Sequence, residues 1–340
     1  MKLMKTEDAV GQVICHDITQ IIRGVTKDAV FRKGHVIREE DIPVLLSVGK
    51  DHIYVWENDE TMMHENDAAE VLCAICKGEN MSRGEVKEGK IELRAECDGV
   101  FRINREKLMT VNSFGQMMIA TRHGDFPVKK GDKLAGTRII PLVIEKEKME
   151  RVKAAVGEEP ILSVEPYISR RAGIVSTGNE VFYGRIKDEF TPVVKSKIEE
   201  FGAEVAGVRC SDDKSEHIEA CIKAFIDEGC DMVVCTGGMS VDPDDRTPLA
   251  IREVCGEAVT YGAPVLPGAM FMLAYYGENK IPVMGLPGCV MYARRTIFDI
   301  VLPRVMTGEI LSKEDFDRLG EGGLCLSCDV CTFPNCGFGK

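Results

Sequence analysis

From residue 169 onward the chain alternates short apolar runs with amphipathic stretches. Residues 172–176, 204–209, 232–235 and 281–285 are runs of strand length, rich in Val and Ile. Between them, residues 189–201, 215–228 and 247–254 repeat apolar positions at helical spacing, and 290–306 reads as a closing apolar helix. Strand and helix in alternation predict an α/β fold, a parallel sheet flanked by helices. In such sheets ligands bind outside the carboxyl ends of the strands.

The first 165 residues follow another rule. Short apolar runs at 13–14, 52–56, 99–103 and 133–140 are separated by turn signals such as Lys33-Gly34 and Lys130-Gly131-Asp132. This predicts a β-rich N-terminal region. Helices are expected over 39–48, with Leu45 and Leu46 facing inward, after Asn104, and over 146–156. The resulting division is 1–165, an α/β domain at 166–308, and a cysteine-rich tail at 309–340.

Composition narrows the class. A chain of 340 residues can bury more than one core. Its net charge of −12 argues against a nucleic-acid surface. No basic-then-apolar leader opens it, and Pro and Gly interrupt its most apolar region, residues 261–293, so a cytoplasmic location without a membrane span is expected. Fourteen cysteines in such a chain point to reduced thiols or metal ligands. Cys73 and Cys76 have CxxC spacing but lack a thioredoxin-like context, and the scattered histidines form no ligand set.

Three loops follow predicted strands: Thr177-Gly178-Asn179-Glu180, residues 236–245, and Leu286-Pro287-Gly288. In the second, Gly237 and Gly238 let backbone N–H groups approach a phosphate, and a helix starting near Thr247-Pro248 adds its positive end. Asp242, Asp244 and Asp245 beside a phosphate make chemical sense with Mg2+ between them. The competing reading is a tight turn followed by a solvated acidic loop.

The three loops together resemble the molybdopterin-binding domain shared by the gephyrin-type molybdopterin molybdenumtransferases and the molybdopterin adenylyltransferases. Residues 174–181 (IVSTGNEV), 231–240 (DMVVCTGGMS) and 283–288 (VMGLPG) match that family's three signature elements in order. The resemblance implies that Ser176, Thr177, Gly178, Asn179, Thr236, Gly237, Gly238, Met239, Ser240, Pro287 and Gly288 bind molybdopterin or its adenylate. Glu180, Asp231 and Asp245 become the candidate catalytic carboxylates. Asp212, Asp244 and Asp245 become the candidate Mg2+ ligands. The implied function lies in molybdenum cofactor biosynthesis: insertion of molybdate with release of AMP. A homo-oligomer and a molybdoenzyme or cofactor-maturation partner are expected with it.

The departures keep alternatives open. Cys289 stands where the transferases carry Asn, and Pro267-Gly268-Ala269-Met270 replaces their lysine-bearing PGKP. No counterpart to their final β-barrel is expected in the short stretch after the last predicted helix. Asp245-Arg246-Thr247-Pro248 resembles the DVTP element of the adenylyltransferases. A molybdopterin-binding carrier or sensor and an adenylyltransferase are the competing readings. The nicotinamide-nucleotide amidases, which share a GGxxxxxDDxT pattern, are a remoter one. In the tail, Cys325, Cys328, Cys331 and Cys336 form C-x2-C-x2-C-x4-C, close to the bacterial ferredoxin run. An iron–sulfur cluster is ranked ahead of Zn2+ there.

Overall fold

The computed structural model describes residues 1–22, 26–55 and 59–340. Trp56, at the end of the apolar run 52–56, lies outside them. The chain forms two compact units. One comprises residues 1–96, 103–122 and 131–163, the other residues 97–102, 123–130 and 164–340.

The first unit is β-rich. Its main sheet is antiparallel, with Met81–Arg83, Lys90–Ala95, Lys133–Ile139 and Met117–Thr121 in that spatial order. Lys2–Lys5 pairs with His52–Val55 over a small core of Ala9, Ile14, Ile37, Leu45 and Ile53. The helix expected at 39–48 is a 3-10 turn at Glu39–Asp41 followed by Ile42–Ser47. Leu45 is buried, but Leu46 is not, because so short a helix turns only one row of side chains inward. Cys73 and Cys76 end the helix Glu65–Cys76. Both are buried, and burial pushes their thiols up, that of Cys76 to about 12, so neither is a reactive thiol. The histidines do local work: His64 caps this helix by accepting from Asn66 N, and His35 pairs with Asp41 at 2.6 Å.

The second unit is the α/β domain. Its principal elements are β1 (Arg171–Thr177), α1 (Phe190–Glu200), β2 (Glu204–Ser211), α2 (Ser215–Asp227), β3 (Met232–Thr236), α3 (Thr247–Cys255), β4 (Thr260–Tyr261), β5 (Met272–Tyr276), β6 (Ile281–Leu286), α4 (Ile297–Met306) and α5 (Lys313–Asp317), with a single helical turn at Asn179–Phe182 after β1. The six strands lie in the order β2-β1-β3-β6-β5-β4. The first four run parallel, and β5 and β4 add an antiparallel edge.

Strand alternation divides the core in two. Ile174, Val234 and Met284 face one side, against Val194 and Ile198 of α1 and Phe298 and Leu302 of α4. Val175, Val233 and Val283 face the other, against Ile218 and Ile222 of α2 and Ala250 and Ile251 of α3. Both faces being covered explains why the strands read as continuous apolar runs.

The closing helix begins at Ile297, not at residue 290. Residues Gly288–Met291 form a 3-10 turn, and a capping box fixes the later start: Phe298 N donates to Thr296 Oγ1, and Thr296 N donates to Asp299 Oδ2 at 2.8 Å. The last residues fold back on this core. Phe316 of α5 and Phe338 are both buried in the cluster that holds α1 and α4. No helix among the described residues is long and apolar enough to cross a membrane.

Candidate functional site

The registers place the ends of the four parallel strands together. Thr177 lies opposite Ser211, Ser176 opposite Thr236, and Thr236 opposite Leu286. The loops that begin at Gly178, Asp212, Gly237 and Pro287 therefore leave the sheet at one edge. The Asp212-Asp213 loop joins the three read from the sequence.

The Gly237-Gly238 turn is locked into this edge. Both residues have positive φ, +85° and +55°. A Cβ on Gly237 would stand 2.2 Å from the carbonyl oxygen of Thr177, and one on Gly238 would stand 2.9 Å from Thr247 Oγ1. Only glycine combines that conformation with that approach. Thr177 Oγ1 donates to Thr236 O at 3.1 Å and lies 3.1 Å from Thr247 Oγ1, tying the turn to the start of α3. Two hydroxyls expected to face a ligand are thus occupied inside the fold. Thr177 braces the turn, and Ser176 Oγ donates to Asp188 Oδ2 at 2.9 Å. Asp188, which the sequence reading missed, also accepts from the Phe190 and Thr191 N–H groups at the head of α1. Burial opposes its charge, but the hydrogen bonds from Thr191, Ser176 and Phe190 outweigh burial and hold the carboxyl below its ordinary range.

The acidic loop is a folded structure. Ser240 N donates to Asp245 Oδ2 at 2.7 Å, Asp244 N to Asp242 Oδ1 at 3.0 Å, and Asp245 N to Asp242 O at 3.0 Å. Tyr261 of β4 donates its hydroxyl to Met239 O at 3.1 Å and fixes the loop from the antiparallel edge. Met239 is a core residue, buried over Gly285 and near Ile251, so its side chain is not a ligand contact. Asp244 is exposed, whereas Asp245 is half-buried.

Neighbouring aspartates take different roles. Asp212 is buried; it accepts from Lys214 N and lies 2.8 Å from His217 Nδ1, binding the head of α2. Asp213 instead accepts from Asn179 N at 2.9 Å and so joins two of the loops. Burial raises its carboxyl pKa, and the nearby charges of Glu180, Asp245 and Asp212 raise it further. Asp213 thus ties two loops through Asn179 N, whereas Asp212 is engaged at the head of α2. Glu180 curls over Gly178, where an added Cβ would lie 2.9 Å from its Oε1.

Asp231 is not at this edge. It precedes β3, five strand residues and roughly 17 Å from the Gly237 turn. Its Oδ1 accepts from Arg171 N at 2.7 Å and its carbonyl from Arg170 Nη1 at 3.1 Å, so it joins the opposite ends of β1 and β3. Pro287 and Gly288 do lie at the site edge, Pro287 heading the 3-10 turn. Among the described residues, no three His, Cys, Asp or Glu side chains are grouped to hold a single metal ion, neither at this edge nor among the tail cysteines.

Residues 173–307 match the family model described as a probable molybdopterin binding domain. The α/β domain belongs to that superfamily. Residues 3–57 match a domain of unknown function. A CinA-like protein of Mycobacterium avium (strain 104) is 36% identical over 98 residues, 29% of this chain and 23% of the relative. A CinA-like protein of Mycobacterium tuberculosis (strain H37Rv) is 36% identical over 89 residues, 26% of this chain and 21% of the relative. The chain thus spans less than a quarter of the length of these curated relatives. Among solved structures, the molybdopterin biosynthesis enzyme MoaB of Thermus thermophilus is 23% identical, with TM-score 0.36, covering 41% of this chain and 98% of that one. The tungsten cofactor synthesizing protein MoaB of Pyrococcus furiosus is 16% identical, with TM-score 0.32, covering 40% of this chain and 88% of that one. The molybdopterin-binding domain is a domain of the molybdenum cofactor biosynthesis type.

Proposed function

We propose that this molybdopterin-binding domain takes adenylated molybdopterin at the four-loop edge and inserts molybdate with release of AMP. The observation that carries the reading is the Gly237-Gly238 turn, pinned against Thr177 and Thr247 at the same sheet edge as the Asp213–Asn179 contact. The turn offers its backbone N–H groups to a phosphate. The carboxylates alone would repel that phosphate. Burial first, and the charges of Glu180, Asp245 and Asp212 after it, raise the Asp213 pKa, and carboxylate oxygens suit Mg2+, which takes one or two carboxylates and completes its shell with phosphate and water. When bound, Mg2+ would neutralise charge developing on the phosphoanhydride.

The residues of the chain then have distinct tasks. Asp213 and Asp245 hold the cation, while Asp213 also keeps the Asn179 loop in place through Asn179 N. Gly237 and Gly238 bring backbone donors to the phosphates, while the Ser240 N–H holds Asp245 in place. Glu180 holds a proton acceptor over Gly178, suited to orienting the attacking oxygen. That oxygen, from water, attacks the molybdopterin-side phosphorus of the anhydride. The P–O bond to AMP breaks and AMP leaves with the bridging oxygen, while the two dithiolene sulfurs replace two molybdate oxygens, which leave as water with protons from the thiols and solvent. A molybdoenzyme or maturation partner would receive the product.

Single-turnover assays test this reading. Protein mixed with molybdopterin adenylate, Mg2+ and molybdate should release AMP, and Asp213→Asn should slow release at least about tenfold, the loss of one charge-assisted contact. Tight binding without AMP release would overturn the transferase reading in favour of a carrier. Pyrophosphate release from molybdopterin and ATP would overturn it in favour of an adenylyltransferase.

A further inference from the structure

The tail beyond α5 is held at several points; Cys325 and Cys336 pack against the edge of the core, whereas Cys328 and Cys331 are exposed. Leu266 N donates to Gly323 O and Cys325 N donates back to Leu266 O, each at 2.8 Å. Gly339 N donates to Gly322 O at 2.8 Å, closing residues 322–339 into a loop. Phe338 is buried, and Phe333 packs edge-on to Phe126, with ring centroids 6.0 Å apart. Arg294 Nη1 donates to Cys328 O and Asp329 O, at 3.3 and 2.6 Å, gripping the loop midway between the cysteines.

This loop walls a cavity of about 620 Å3, and all four tail cysteines line it. The opposite wall is Pro267 with Tyr292, Arg294 and Arg295. Meanwhile Leu326 and Val330, between the cysteines, are exposed at 78% and 76%. Apolar burial therefore anchors the two ends of the loop but does not explain the path of residues 326–332 between them. All four are free, two of them exposed and two half-buried, whereas Cys76, Cys230 and Cys235 are ordinary core residues.

We propose that this cavity binds one iron–sulfur cluster through Cys325, Cys328, Cys331 and Cys336. Four thiolates are the full ligand set of such a cluster, and the spacing sets three of them at intervals of three residues. A single Zn2+ needs four sulfurs converging at about 2.3 Å on one point. The four cysteines line one cavity of about 620 Å3, and no three of them are grouped around a single-ion position. A cluster of several iron and sulfide atoms would take its four ligands from that lining. Arg294 and Arg295 on the facing wall offset the negative charge of a thiolate-ligated cluster, a factor in its reduction potential. Arg295 is itself oriented by Asp299 at 2.9 Å and lies over the Phe333 ring, so the cationic wall is braced on both sides. The cluster site is independent of the reaction at the four-loop edge.

The test is anaerobic reconstitution of the full chain with ferrous iron and sulfide, followed by iron and acid-labile sulfide analysis and visible spectroscopy. The wild-type chain should retain both in equal amounts and develop the broad absorption of sulfide-to-iron charge transfer. The double variant Cys328→Ser/Cys331→Ser changes two exposed side chains and should lose the absorption and the bound iron. Cys210→Ser, an exposed cysteine outside the tail, should keep them. Far-ultraviolet circular dichroism and urea midpoints of the metal-free forms show whether the double variant folds as the parent does. A second pair, Cys325→Ser/Cys336→Ser, repeats the test from the other end of the run. Failure of the wild type to retain iron and sulfide would overturn the proposal. So would retention undiminished in both folded double variants, or Zn2+ excluding iron and sulfide when all are offered together.

Discussion

Substituting Gly237 by Ala adds one methyl group and tests the site at its most constrained point. Alanine at a φ of +85° costs about 1–2 kcal/mol in backbone strain. The added Cβ starts 2.2 Å from Thr177 O, about 1.2 Å short of ordinary contact, and the obstacle is backbone that cannot rotate away. The turn must therefore shift by about 1 Å relative to β1. Adding that displacement to the strain gives an expected loss of roughly 2–3 kcal/mol in folding stability. A shift of this size misaligns the N–H groups of the turn. Loss of one charge-assisted hydrogen bond to a phosphate corresponds to about 10- to 100-fold weaker binding. Urea denaturation measures the first quantity and calorimetric titration with molybdopterin the second. Gly288→Ala is the control: it lies on the same edge, has no positive φ and no atom within 4 Å of the new Cβ, so stability should stay within about 0.5 kcal/mol. Gly237→Ala with parental stability and affinity would refute the claim that this turn is locked and forms the phosphate cradle.

Other outcomes follow from the same geometry. Asp213→Asn should abolish most of the Mg2+ dependence of ligand affinity, whereas Asp231→Asn, at the far end of β3, should lower stability and leave the Mg2+ dependence intact; titrations with and without Mg2+ separate the two. Asp315 is partly buried, yet hydrogen bonds from Ser312 and Arg304 hold its carboxyl at about 2, against an ordinary 3.8. Its folded pKa is depressed, so its contribution, about 2 kcal/mol, is present above pH 4 and fades as pH falls through about 2. Asp315→Asn should accordingly lower the urea midpoint at pH 7 and cease to matter near pH 2. Under alkylation at pH 8, metal-free native protein should label Cys328 and Cys331 and spare Cys76 and Cys255, whose thiols burial pushes to about 12; peptide mass spectrometry reads the difference.

The α/β domain was legible because its strands are covered on both faces and its helices carry regular apolar stripes. The runs at 172–176 and 232–235 differ from β1 and β3 by only a residue or two at an end. The antiparallel pair β4 and β5 was not read, since Pro264, Pro267 and Gly268 interrupt that region and hide its alternation. The start of α4 was misplaced because residues 290–296 have no breaker of their own; the capping box of Thr296 and Asp299 sets it. At the site, the glycines were readable because positive φ demands them. Which of Asp212 and Asp213 meets Asn179 was not readable, because adjacent residues leave a strand end on opposite sides. Likewise, a threonine after a strand looks the same whether its hydroxyl serves a ligand or, as at Thr177, the neighbouring carbonyl.

Hydrogen–deuterium exchange with and without molybdopterin tests the central claim most directly. Binding at the four-loop edge predicts slowed exchange confined to residues 177–180, 211–213, 236–247 and 286–289, with the amides of Gly237 and Gly238 among the most protected. Protection elsewhere in the chain, or none at ligand saturation, would contradict it.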